Sequence, residues 1–124
     1  MLVSQIVLQP ELVEGLDGLA GFSHLFVLFH LNQVAKEQPM QLRIHPKRRA
    51  DLPLTGIFAT RTMMRPNPIG LTIVELLKVE GNVLTVRGLD GFDGTPVLDI
   101  KPFDPWDVPE NARAPAWWRK LYET

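Results

Sequence analysis

Apolar positions along this chain fall in short runs, repeatedly broken by glycine and proline. Leu2 to Leu8 is one such run, closed by Gln9-Pro10, and it predicts a strand. In GFSHLFVLFHLNQ the alternate residues Phe22, His24, Phe26, Leu28 and His30 share one strand face, and Ser23, Leu25, Val27, Phe29 and Leu31 share the other. Both sets are largely apolar, which predicts a central strand buried on both sides. LTGIFAT over 54–60 and VLDIKP over 97–102 read as further strands. Glu80-Gly81-Asn82 separates Ile69–Val79 from VLTVRGL, as the turn of a hairpin between β-branched runs does.

The stretches between are turn-rich. GLDGLAG at 15–21 reads as a connector, and the polar, basic residues 34–54 as a long exposed loop. In RTMMRPNPIGLT, Pro66 and Pro68 cannot donate to a ladder and hold their neighbours extended, so this is a fixed irregular loop. ENARAPAWWRKLYE suits one short C-terminal helix interrupted by Pro115. The expectation is a mainly β single domain over 1–124: five or six strands in a small closed antiparallel or mixed β-barrel with long loops. Closure is the natural way for so few strands to remove their edges.

Composition narrows the function classes. At 124 residues the chain is too short for a dinucleotide-binding domain plus a substrate domain, or for a large β/α barrel. The absence of cysteine removes disulfides, thiol nucleophiles and cysteine-type zinc sites. A net charge of −1 gives no global positive field, so any nucleic-acid contact has to come from a local patch. Without a long apolar run or a basic leader, the chain reads as soluble and cytoplasmic.

Candidate chemistry is confined to a few segments. His24 and His30 lie at roughly 20 Å along one strand, too far apart to share an ion, and no metal-ligand spacing occurs, so no metal is expected. Ser23 and His24, as strand neighbours, are expected on opposite faces, which argues against a Ser/His/Asp triad with Asp93 or Asp99. ATRTMMRPNPIG places Arg61 and Arg65 around a stiff segment carrying Asn67; the guanidinium groups suit a carboxylate or phosphate, or else are solvated. Asp93-Gly94-Thr95-Pro96 is a turn whose polar groups could converge on a ligand, and Asp99 and Lys101, two apart, are expected to pair. HPKRR resembles a phosphate-contacting patch as much as a solvated loop. Trp117 to Lys120, WWRK, offers stacking surface beside cations, or packing surface.

GFSHLFVLFHLNQ, GIFATRTMMRPNPIGLT and DGFDGTPVLDIKPFDPWD, in that order, resemble the TrmO-type, TsaA-like family of tRNA N6-threonylcarbamoyladenosine methyltransferases. The resemblance runs from about Leu12 to Asp107, and the joint occurrence of ATR-x(3)-RPNPIGL with DGTPVLDIKP is specific. It implies a homodimer of small β-barrels that binds S-adenosyl-L-methionine and methylates N6 of threonylcarbamoyladenosine beside the tRNA anticodon. The implied cofactor contacts are Asn32, Gln33, Arg61, Leu71, Asp93, Gly94, Thr95 and Pro96. Arg65, Asn67, Asp99 and Lys101 would shape the pocket, and His45, Lys47, Arg48 and Arg49 are the candidates for the tRNA backbone. No catalytic residue is singled out. The family's usual first strand, with a Pro-x-Gln-type contact, would lie ahead of the present start, so the sequence reads as N-terminally shortened. Two other classes stay open: a non-catalytic S-adenosylmethionine- or RNA-binding homologue, and a dimerisation domain.

Overall fold

The computed structural model describes residues 2–31, 40–89 and 94–122. In chain order its strands are β1 (Val3–Val7), β2 (His24–His30), β3 (Arg43–Ile44), β4 (Thr55–Gly56), β5 (Ile69–Glu80), β6 (Val83–Arg87) and β7 (Val97–Pro102), joined by short 3-10 helices. The chain divides into two compact units, Met1–Asn32 with Ile69–Val108, and Gln33–Pro68 with Pro109–Thr124.

The first unit is a five-stranded sheet in the order β1-β6-β5-β2-β7, each neighbouring pair antiparallel. The expected hairpin is present. Gly81 opens the β5–β6 turn with φ +56°, a conformation a side chain would disfavour. Asn82 then ties the turn to the end of β1, its side-chain amide donating to Leu8 O at 2.6 Å and its carbonyl accepting from Leu8 N at 2.8 Å. Leu25, Val27 and Phe29 of β2 point to one side, where they meet Ile6, Val74, Leu84 and Val86 from the other strands and Leu16 from the 3-10 helix Pro10–Leu16. This is the core.

Four expectations are corrected. The sheet is open rather than a closed barrel: among the described residues β1 and β7 are edges, and β3 pairs with β4 in a separate two-stranded sheet. The strand expected over 54–60, in the second unit, is cut short. LTGIFAT keeps only Thr55–Gly56 in a ladder before a 3-10 turn, Ile57–Ala59, which Thr60 secures with its N–H (3.1 Å) and its hydroxyl (2.8 Å) on Ile57 O. Secondly, β2 is buried on one face only; His24, Phe26, Leu28 and His30 are half-buried on the other. Thirdly, residues 40–54 are not simply an exposed loop, since they hold β3, a turn at Pro46–Arg48 and the fully buried Leu52. Fourthly, Ser23 and His24 do meet, with Ser23 Oγ at 2.7 Å from His24 Nδ1. Ser23 precedes the strand, so the alternation invoked to separate them does not apply to it.

The C-terminal helix is present as a 3-10 helix, Ala116–Tyr122, in the second unit. Among the described residues no helix is long and apolar enough to cross a membrane.

Candidate functional site

The expected site residues fall in both units. In the first, the turn at 94–96 is fastened to the end of β2: His30 N donates to Pro96 O at 2.9 Å, and Gly94 takes φ +82°, which only glycine adopts at little cost. Antiparallel register then sets Leu71 of β5, Leu28 of β2 and Asp99 of β7 in one row on the face away from the core. The next row of that face is Ile73, Phe26 and Lys101. Leu71 is 63% exposed, an apolar side chain available to a planar group. Asp99 and Lys101 form the expected ion pair at 3.5 Å, both well exposed. Asp99 also accepts the N–H of Ile100 at 2.8 Å. Asn32, Gln33 and Asp93 lie outside the described residues.

In the second unit, residues 40–68 and the C-terminal helix enclose a cavity of about 1170 Å³. Among the described residues its lining contains Arg43, His45, Lys47, Arg48, Arg61 and Arg65, and no aspartate or glutamate. The ion pairs among the described residues are Arg49–Asp51, Lys78–Glu80, Arg87–Glu75 and Lys101–Asp99, so none of the lining cations is neutralised by a carboxylate there. Like charges facing one space repel one another, and an anionic ligand removes that repulsion. Met63, Met64, Trp118 and Tyr122 add polarisable apolar surface to the same walls.

Local structure presents these cations. HPKRR is a tight turn, with Arg48 N donating to His45 O and Arg49 N to Pro46 O, each at 3.0 Å. Lys47 and Arg48 are both left-handed, at φ +52° and +57°. Two consecutive side-chain-bearing residues in that region store strain, and such strain concentrates at ligand-binding sites. His45 anchors the turn from its imidazole, Nδ1 lying 2.8 Å from Leu52 O; the protonated Nδ1 donates there. Arg49 behaves differently from its neighbours: it holds Asp51 through Nε (3.1 Å) and Nη2 (2.7 Å), and its bond keeps the Asp51 carboxyl below the ordinary carboxylate value. Arg65 is a structural clamp, Nη1 donating to Thr60 O at 2.8 Å and Thr62 O at 3.1 Å, with its guanidinium 5.7 Å from the Phe58 ring centre. Asn67 is exposed, and among the described residues it joins no hydrogen bond.

The sequence brought the arginine loop and HPKRR to attention separately; the structure sets them around one cavity. Arg43 and Tyr122 were not singled out. Neither carries a spacing signal, since their place in the lining comes from the β3–β4 pairing and from the fold-back of the C-terminal helix. His30, read only as a strand-face residue, turns out to hold the 94–96 turn through its backbone.

Residues 1–107 match the family model of the tRNA-methyltransferase O N-terminal domain. The chain belongs to that family. A relative from Methanothermobacter thermautotrophicus, described as a probable S-adenosyl-L-methionine-binding protein, is 47% identical over 100 residues, covering 81% of this chain and 69% of the relative. A mouse tRNA (adenine(37)-N6)-methyltransferase is 47% identical over 109 residues, 82% of this chain but 23% of that protein. The crystal structure of TrmO from Pseudomonas aeruginosa superposes with a TM-score of 0.71 at 36% identity, covering 92% of this chain and 47% of that one. The chain thus spans less than half of that TrmO structure and about a quarter of the mouse enzyme. The TrmO N-terminal-domain match takes in β1 to β7 and stops before the helix Ala116–Tyr122.

Proposed function

We propose that this chain is an S-adenosylmethionine-dependent methyltransferase of tRNA, transferring a methyl group to N6 of an adenosine, with threonylcarbamoyladenosine beside the anticodon as the substrate. The observation that carries the reading is the cavity with Arg43, Lys47, Arg48, Arg61 and Arg65 in its lining and no carboxylate there among the described residues, in a member of the tRNA-methyltransferase O family. A polyanionic strand needs unneutralised cations, and unstacked bases need aromatic or polarisable surface; both are in that lining.

The residues fit the cofactor by type. S-adenosylmethionine supplies an activated methyl group. For its carboxylate the chain has Arg61, exposed and without a carboxylate partner among the described residues. For its adenine it has the exposed apolar Leu71. Gly94, Thr95 and Pro96 supply a fixed turn with backbone groups, and Asn32, Gln33 and Asp93 complete the proposed set. Lys47 and Arg48 are the proposed contacts to tRNA phosphates, with His45 and Arg49 shaping the turn that presents them. In methyl transfer the attacking nitrogen must be near 3 Å from the methyl carbon and in line with the bond that breaks, so alignment supplies most of the rate. The transfer would release S-adenosylhomocysteine and the N6 proton, and among the described residues no side chain is singled out as the base that takes it. Asp99 is already engaged by Lys101 and by the backbone of Ile100.

The reading includes a homodimer: Ile69 and Ile73 are exposed along one face of β5, apolar surface that a second copy would remove from water. Calorimetry with S-adenosylmethionine, followed by tRNA titration, tests the assignment. Saturable binding of both is expected. A folded protein that binds neither at millimolar ligand would end the enzyme reading, and binding of both without methyl transfer would favour a non-catalytic homologue.

A further inference from the structure

Arg61 is held at both ends. Its backbone is bracketed by the Arg65 clamp on the carbonyls of residues 60 and 62. Thr62 N donates to Thr60 Oγ1 at 3.3 Å and Met64 N to Thr62 Oγ1 at 3.2 Å, so the chain through Arg61 is tied on either side. Its charged end lies against the indole of Trp118, Cζ standing 6.0 Å from the ring centre. Among the described residues that ring is its recorded partner; no carboxylate or carbonyl takes its N–H groups. A guanidinium held over an aromatic face by a cation–π contact can keep N–H groups open, and those groups are the part that recognises a planar anion.

Trp118 is tied through its backbone, and its ring meets a second indole. Trp118 N donates to Pro115 O at 2.9 Å, and Trp117 packs on the ring at 5.5 Å between centres. The last turn of Ala116–Tyr122 has orphan carbonyls, as every helix end does. Here they are taken by cations of the HPKRR turn, with Lys47 Nζ on Leu121 O at 2.7 Å and Arg49 Nη1 on Lys120 O. Lys47 also stands 5.9 Å above the Tyr122 ring. The helix is therefore latched into the second unit by the segment that lines the cavity with it, although it lies beyond the 1–107 family match.

We propose that Trp118 is the positioning residue for Arg61: its indole holds the guanidinium with its N–H edge free for the carboxylate of the cofactor's methionyl end. This rests on the reading of Arg61 as a cofactor contact. Toward the cofactor Trp118 acts through the arginine, by sparing it the conformational freedom it would otherwise lose on binding.

The test is a double-mutant cycle on the full chain, read by calorimetry with two ligands. S-adenosylmethionine carries the carboxylate; 5′-methylthioadenosine keeps the adenosine and sulfur but lacks it. Trp118→Ala should weaken S-adenosylmethionine binding about three- to tenfold, with little change for 5′-methylthioadenosine. Trp118→Phe, which keeps a π face, should recover much of the loss and guards against a folding defect. In an Arg61→Ala background, Trp118→Ala should have no further effect on S-adenosylmethionine. Equal losses for both ligands, additive effects of the two substitutions, or a silent Trp118→Ala would each overturn the proposal while leaving the cofactor reading standing. If the folded wild type binds neither ligand, the cofactor reading fails and the positioning role goes with it.

Discussion

Gly70 of β5 sits directly across from Phe29 of β2, and the Phe29 ring fills the space that a Cβ at residue 70 would need. This gives the glycine of the RPNPIG segment a packing role. Its backbone is not left-handed, so conformational freedom is not what it supplies. Phe29 is buried at 7% exposure and has little room to swing away. Gly70→Ala should therefore destabilise the fold by about 1–3 kcal/mol, and Phe29→Leu in the same chain should restore part of that. Urea denaturation of the two single variants and the double variant measures both effects.

Strain at the HPKRR turn makes stability and binding move in opposite directions. Arg48 is left-handed at φ +57°, and among the described residues its side chain joins no ion pair or hydrogen bond. Arg48→Gly relieves the strain at the cost of some unfolded-state entropy, and should raise stability by about 0.5–1 kcal/mol. The same change should weaken tRNA binding and reduce the slope of log affinity against log salt by about 1, the signature of one lost phosphate contact. Denaturation curves and filter binding over a salt series report the two halves of this prediction.

The sheet was largely legible in the sequence because period-two alternation is a strong local signal. It placed β2 and β7 close to their observed bounds, turn residues did the same for the ends of β1 and for the β5–β6 hairpin, whose first strand is ambiguous by period, and the Asp99–Lys101 pair followed from parity. Barrel closure was not legible, because edge pairing between distant strands leaves no local pattern; nor was the early end of the strand at 54–60, where Thr60 secures a 3-10 turn with a local side-chain bond. The cavity was legible only in pieces. Arg61 and HPKRR stood out by composition, but their sharing one lining with Trp118 and Tyr122 is a tertiary fact. Ser23 illustrates a boundary error: a single residue outside the strand escapes the parity rule.

Acid should loosen the turn through Asp51. The Arg49 bond holds this carboxyl below its ordinary value, so its stabilising contribution is present above that value and is lost as pH falls through the lowered one. The side chain is exposed, so the effect on global stability should be small and salt-sensitive. Carboxyl-detected NMR should give Asp51 a midpoint below that of an unpaired aspartate, and Arg49→Gln should bring it back up.

Removing the cofactor's proposed carboxylate partner should be costly without unfolding the chain. Arg61 is exposed, so Arg61→Ala should shift the melting temperature little. A hydrogen bond to a charged group contributes about 1.5–3 kcal/mol, so the variant should lose roughly ten- to a hundredfold in S-adenosylmethionine affinity. Calorimetry beside a thermal melt distinguishes this from a folding defect.

The central claim is methyl transfer to tRNA. It is tested most directly by incubating the protein with S-adenosylmethionine and threonylcarbamoyladenosine-containing tRNA, then digesting the RNA and analysing the nucleosides by mass spectrometry. The account predicts that threonylcarbamoyladenosine gains one methyl group at N6, and that Arg61→Ala slows the gain. Unmodified nucleoside after incubation with folded protein, while a full-length relative methylates the same tRNA in parallel, would contradict it.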